Sequence, residues 1–166
     1  MRSVMRPATS QRGYTYIGLL LLVTLLTTLL AAAGVLWRTE VQREREADLL
    51  FIGKQYVRAI TLYYENTPAG QQPRFPMRLE DLLEDKRWPT VRRHLRRLYA
   101  DPMTNQMRWG IVPAPDGGIF GVYSLSQGVP IKRDRFGPPP YDDFAGAATY
   151  QNWRFIYIPT GGSTGN

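Results

Sequence analysis

From Gly13 to Trp37 the chain carries no charged residue, and from Arg38 onward charged positions return among apolar ones. The uncharged stretch predicts a helix. Residues 14–37 make 24 positions, a rise of about 36 Å, enough to cross a hydrocarbon core of about 30 Å. The threonines at 15, 24, 27 and 28 can return their hydroxyls to backbone carbonyls, which makes them tolerable in lipid. The stretch is apolar on all sides, unlike the one-sided helix of a soluble domain. It is also longer than the apolar region of about 7 to 15 residues in a secretory signal peptide. Trp37 followed by Arg38 marks an interface on the far side.

No breaker interrupts residues 38–66. Glu40, Arg43, Glu44, Arg45, Glu46 and Asp48 form a mixed-charge set. Glu40–Arg43 and Arg45–Asp48 are spaced to pair on the surface. Leu49, Ile52, Tyr56, Ile60 and Tyr63 recur at spacings of 3, 4, 4 and 3, one apolar stripe that needs covering. The stripe makes core packing the expectation for Tyr56 and the Tyr63–Tyr64 pair. Thr67-Pro68-Ala69-Gly70 ends the helix.

Beyond it, residues 67–76 read as a linker, Leu79 to Leu83 as a short helix with Glu80, Asp81, Glu84 and Asp85 on a solvated face, and Val91 to Tyr99 as a second short helix. Strands are expected at residues 108–112, 119–125 and 153–158. Asp116-Gly117-Gly118 turns the first two into an antiparallel hairpin, and Trp153, Phe155 and Tyr157 lie on one face of the third. Pro130-Ile131-Lys132 and Pro138-Pro139-Pro140 fall in a long loop, and residues 161–166 in a frayed tail.

Composition adds topology. Of the formal charge of +7, Arg2, Arg6 and Arg12 precede the uncharged stretch; a basic near side predicts that the N-terminus stays in the cytoplasm and the C-terminus crosses. The chain has no cysteine, which excludes disulfides, cysteine metal sites and thiol chemistry. His94, the single histidine, sits among arginines and reads as a surface residue. No phosphate loop or metal spacing is present, and Asp134, Asp142 and Asp143 do not have the spacing of a calcium loop. No catalytic residue, metal or cofactor is expected, and the chain does not read as an enzyme. Lys86, Arg87, Arg92, Arg93, Arg96 and Arg97, on or beside one short helix, are candidates to meet an anionic partner.

The basic leader, then Gln11-Arg12-Gly13, then an aromatic residue and a long apolar helix, resembles the leader of type IV pilins and pseudopilins. The phrases Tyr99-Ala100-Asp101-Pro102-Met103-Thr104-Asn105, Trp109-Gly110, Gly121-Val122-Tyr123-Ser124 and Pro130-Ile131-Lys132 are similar to a subgroup of type II secretion pseudopilins. The resemblance implies cleavage between Gly13 and Tyr14 by a prepilin peptidase and N-methylation of Tyr14. It implies an α+β, pilin-like fold: a long N-terminal helix against a small antiparallel sheet of three to four strands. The organisation would be a leader at 1–13, a transmembrane helix half at 14–37, an extracytoplasmic helix half at 38–66 and a C-terminal globular domain at 67–166.

Two positions depart from the family pattern. Gly18 stands at the fifth mature position, where the family usually has Glu, and this implies a minor or tip-proximal subunit. Val35 stands where many pilins have proline. The implied function is a structural subunit of a type II secretion filament in the bacterial inner membrane, single-pass, with its C-terminal domain in the periplasm. Its partners would be other pseudopilins, the prepilin peptidase, the inner-membrane secretion platform and membrane lipid. The alternative is a DNA-binding minor pilin of a DNA-uptake or type IV pilus machine. Between these, a subunit contact is the preferred use of the basic cluster, and nucleic acid is not the expected partner.

Overall fold

A computed structural model describes residues 12–137 and 141–157. The leader before Arg12, the proline tract and the tail lie outside the described residues. The chain divides into two compact units, one ending at Val41 and the other beginning at Gln42. The fold is one long apolar N-terminal helix and a small antiparallel sheet of three strands, an α+β layout.

Helix α1 runs over Arg12–Glu65. In the first unit every described side chain from 14 to 34 is exposed, Tyr14 at 85% and Leu30 at 71%. Backbone carbonyls take up the hydroxyls as expected: Thr24 donates to Leu20 and Leu21, Thr27 and Thr28 to Thr24, all at 2.8–3.0 Å. By length and composition α1 can cross a membrane.

In the second unit α1 buries one stripe. Leu49, Tyr56, Ile60 and Tyr63 are in the core, and Ile52 is half-buried against it. Gly53 completes the stripe for a steric reason: a β-carbon there would enter the Phe155 ring. Neither surface pair expected on this helix, Glu40–Arg43 or Arg45–Asp48, is an ion pair among the described residues.

Strands β1 (Gly110–Pro113), β2 (Ile119–Tyr123) and β3 (Arg154–Ile156) pair antiparallel in the order β1-β2-β3. Val122 sits opposite Ile111 on one side and Phe155 on the other. The β1–β2 turn uses Gly117 at φ +84°, a conformation open to glycine, and the Asp116 side chain accepts from Gly118 N at 3.1 Å. Trp153, Phe155 and Tyr157 are all buried. Trp153 stacks on Phe144 at 5.5 Å, while Tyr157 joins Tyr64, Phe75 and Phe120 in a second aromatic group.

Two expectations fail. Residues 67–76 are not a free linker: Phe75 stacks on Tyr64 at 4.5 Å, and the Pro76 carbonyl accepts from Ile119 N at 2.7 Å. Residues 91–99 form no helix. Their amides are committed elsewhere, with His94 N and Leu95 N both donating to the Leu82 carbonyl at 2.9 Å, and the Arg92 carbonyl accepting from Asp85 N at 2.9 Å. The short helix before them is a single 3-10 turn at Leu79–Leu82.

Candidate functional site

Gly13 and Tyr14 lie in the first turn of α1, and Tyr14 is exposed. No described heavy atom outside the helix backbone approaches a β-carbon placed on Gly18. From Tyr14 onward the first turns of α1 therefore offer an exposed, uncharged surface, of the kind that suits lipid and the close packing of small residues.

The six basic candidates separate into two kinds. Lys86, Arg92, Arg93, Arg96 and Arg97 are exposed. The Arg92 guanidinium lies 3.6 Å from the centre of the Trp88 ring and that of Arg97 5.1 Å from Tyr99. Arg87 is withdrawn from any partner: its side chain is 4% exposed and pairs with Asp85, which is fully buried. Nε and Nη2 of Arg87 donate to the two Asp85 oxygens at 2.9 and 2.7 Å, and Nη2 also donates to the Tyr63 carbonyl at 2.6 Å. The guanidinium stacks on the Tyr63 ring at 3.6 Å. His94 is not a surface residue either, since its Nε2 meets Asp85 Oδ2 at 3.0 Å with the side chain 6% exposed.

Asp85 was expected on a solvated face; it is instead the centre of this network. Burial alone would raise its carboxyl, but the hydrogen bonds from Arg87 and His94 outweigh burial and hold it at about 2. The network ties residues 85–94 to the end of α1. It is a structural clamp built from charged groups that have satisfied one another.

Glu46 forms a second buried centre. It is 2% exposed and accepts from Ile131 N, from Lys132 N at 3.1 Å and from the Tyr150 hydroxyl at 2.7 Å. Gln42 Nε2 donates to the same hydroxyl at 2.8 Å and to the Val129 carbonyl at 3.0 Å. Burial, with the neighbouring Glu46 carboxylate, raises Tyr150 well above the ordinary tyrosine range, so it stays a neutral donor. Asp101, in one of the phrases that carry the resemblance, is the third. It is fully buried and accepts from Met103 N, Thr104 Oγ1 and Ser124 Oγ at 2.8–3.0 Å. The Asp101 and Ser124 of two separate phrases thus meet.

Sequence reasoning missed Glu46 and Asp85 as buried centres. Each is flanked by charged residues; the donors that Glu46 accepts from lie 85 to 104 positions away, and Asp85 meets Arg87 and His94 only because the chain between them is not helical. Among the described residues no group of three or more His, Asp or Glu side chains is arranged to hold a metal ion. No family model, curated protein or solved structure matches the chain.

Proposed function

We propose that the chain is a pseudopilin, a membrane-anchored structural subunit of a type II secretion filament. The observation that carries the reading is the two-part character of α1. Its residues 14–34 are uncharged and exposed, and its second half buries one stripe in a small domain with a three-stranded antiparallel sheet. A soluble core helix would be buried along its apolar half, and this one is exposed there. The Gly13–Tyr14 junction supplies the processing site. On this reading a prepilin peptidase removes residues 1–13, Tyr14 becomes the methylated N-terminus, the helix stays in the inner membrane, and the globular domain stands in the periplasm. The buried carboxylates Glu46, Asp85 and Asp101 do the work that disulfides do in many exported domains, holding loops to a small core.

The DNA-binding alternative is less well supported. Its basic cluster is not displayed along a helix, and Arg87 belongs to a buried ion pair. The experiment that tests the proposal is recovery of the processed chain in filaments sheared from cells that assemble a type II secretion pseudopilus. Retention in the inner membrane with none in the filaments would contradict it.

A further inference from the structure

We propose that the outward face of α1 is a head-to-tail contact between copies of this chain, Glu44 and Asp48 of one copy entering the groove that holds Arg58 and Arg96 of the next. The inference rests on the filament-subunit reading and names the surfaces that reading leaves open.

Residues 44, 48, 51, 55, 58 and 62 recur at spacings of 4, 3, 4, 3 and 4, a single helical stripe. It is the stripe that the core does not cover: Glu44, Asp48, Phe51 and Arg58 are exposed, Gln55 and Leu62 half-buried. The stripe changes sign along its length. Its early end is acidic, with Arg43 and Arg45 to either side of it. Its later end forms one wall of a groove of about 430 Å³, whose other wall is the segment 94–99. Phe51, Leu62 and Leu95 give that groove apolar surface, Arg58 and Arg96 give it two cations, and no acidic residue lines it.

These charges are unused within one copy. The side chains of Glu44, Asp48, Arg58 and Arg96 make no ion pair or hydrogen bond among the described residues. Two carboxylates four apart on a helix repel one another unless a cation lies between them. The groove of a second copy supplies two. Phe51, 58% exposed and between the two charged ends, gives the contact an apolar centre.

The geometry dictates the type of assembly. The midpoint of Glu44 and Asp48 lies 12 residues from Arg58, so matching acid to base shifts one copy along the next by about 18 Å. Such a contact is heterologous: one copy of the pair keeps a free groove and the other a free acidic end, so copies add without closing on themselves, as in a filament. It needs no carboxylate at position 18. It therefore lets the chain repeat along a filament, against the tip-proximal place that Gly18 alone suggests.

The absence of cysteine makes the test clean. Full-length chains carrying Asp48→Cys and Arg96→Cys, with different tags, are expressed together and oxidised in the membrane. Both positions are exposed, so the fold is not at stake. The expected result is a disulfide dimer joining the two tags, much stronger than the dimer from either variant alone. Its loss when Arg58→Glu is added, and its return when Glu44→Arg is added in the partner, would establish the charge match. Absence of the mixed dimer, or equal dimers from each variant alone, would overturn the proposal. So would binding of a labelled DNA duplex to the full chain that Arg58→Glu and Arg96→Glu abolish. Leader processing, followed in the same cells, keeps the two ideas apart. A processed chain without the mixed dimer fails only the contact, and an unprocessed chain with it fails only the pilin reading.

Discussion

The Tyr150 hydroxyl donates to Glu46 Oε1 at 2.7 Å across 104 positions of sequence, and both side chains are buried. The same carboxylate takes the amides of Ile131 and Lys132, so one residue of α1 holds both the 129–132 loop and the turn before β3. Replacing Glu46 with alanine strands three donors, and an unsatisfied buried donor costs about 1–3 kcal/mol. The Glu46→Ala chain in detergent should lose about 3 kcal/mol of stability, allowing for some rehydration. Amide hydrogen exchange should quicken at Ile131 and Lys132, while β2 amides change only with global stability. Unchanged protection at 131 and 132 would contradict this assignment.

Asp85 predicts a pH dependence. Its carboxyl is held at about 2 against an ordinary 3.8. A depressed carboxyl stabilises the fold fully above the unfolded value, and that stabilisation is lost as pH falls through the folded one. Stability of the full chain should therefore fall between about pH 4 and pH 2, and Asp85→Asn should lack this component. Because the substitution leaves Arg87 buried without its carboxylate, it should also cost about 3–5 kcal/mol near neutral pH. Thermal unfolding followed by tryptophan fluorescence checks both, and an Asp85→Asn chain with wild-type stability and pH profile would exclude the clamp.

Gly53 and Gly18 are both helical glycines with opposite surroundings. A side chain at Gly53 meets the Phe155 ring, whereas one at Gly18 meets nothing within 4 Å. Gly53→Ala should destabilise the globular unit by about 1–3 kcal/mol through overpacking. Gly18→Ala should leave its melting temperature unchanged. Equal effects of the two variants would mean that the helix does not approach β3 as described.

The long apolar helix, the stripe from Leu49 to Tyr63 and the alternation at Trp153, Phe155 and Tyr157 were legible in the sequence, because each is a periodic pattern that burial or lipid alone selects. The Asp116-Gly117-Gly118 turn was legible from glycine geometry. The polar centres were not. Glu46 sits among five other charged residues and gains its burial from amides 85 and 86 positions away. Val91 to Tyr99 reads as a short helix, but bonds from His94 N and Leu95 N to Leu82 O take the backbone first. Arg87 joined the basic surface on charge alone, since a partner two residues away does not face it on a helix, and only the irregular chain here folds Asp85 back to it.

Topology gives a further prediction. With Arg2, Arg6 and Arg12 ahead of the uncharged stretch, a reporter active only in the periplasm and fused after position 166 should be active. Activity of the same fusion in the cytoplasm would reverse the orientation and remove the globular domain from any periplasmic filament.

The central claim, that this is a processed pilin-like subunit, is tested most directly by the intact mass of the full chain purified from membranes of cells with an active prepilin peptidase. The account predicts a mass beginning at Tyr14, with one added methyl group on its amine. A chain that keeps residues 1–13 in those cells would contradict it.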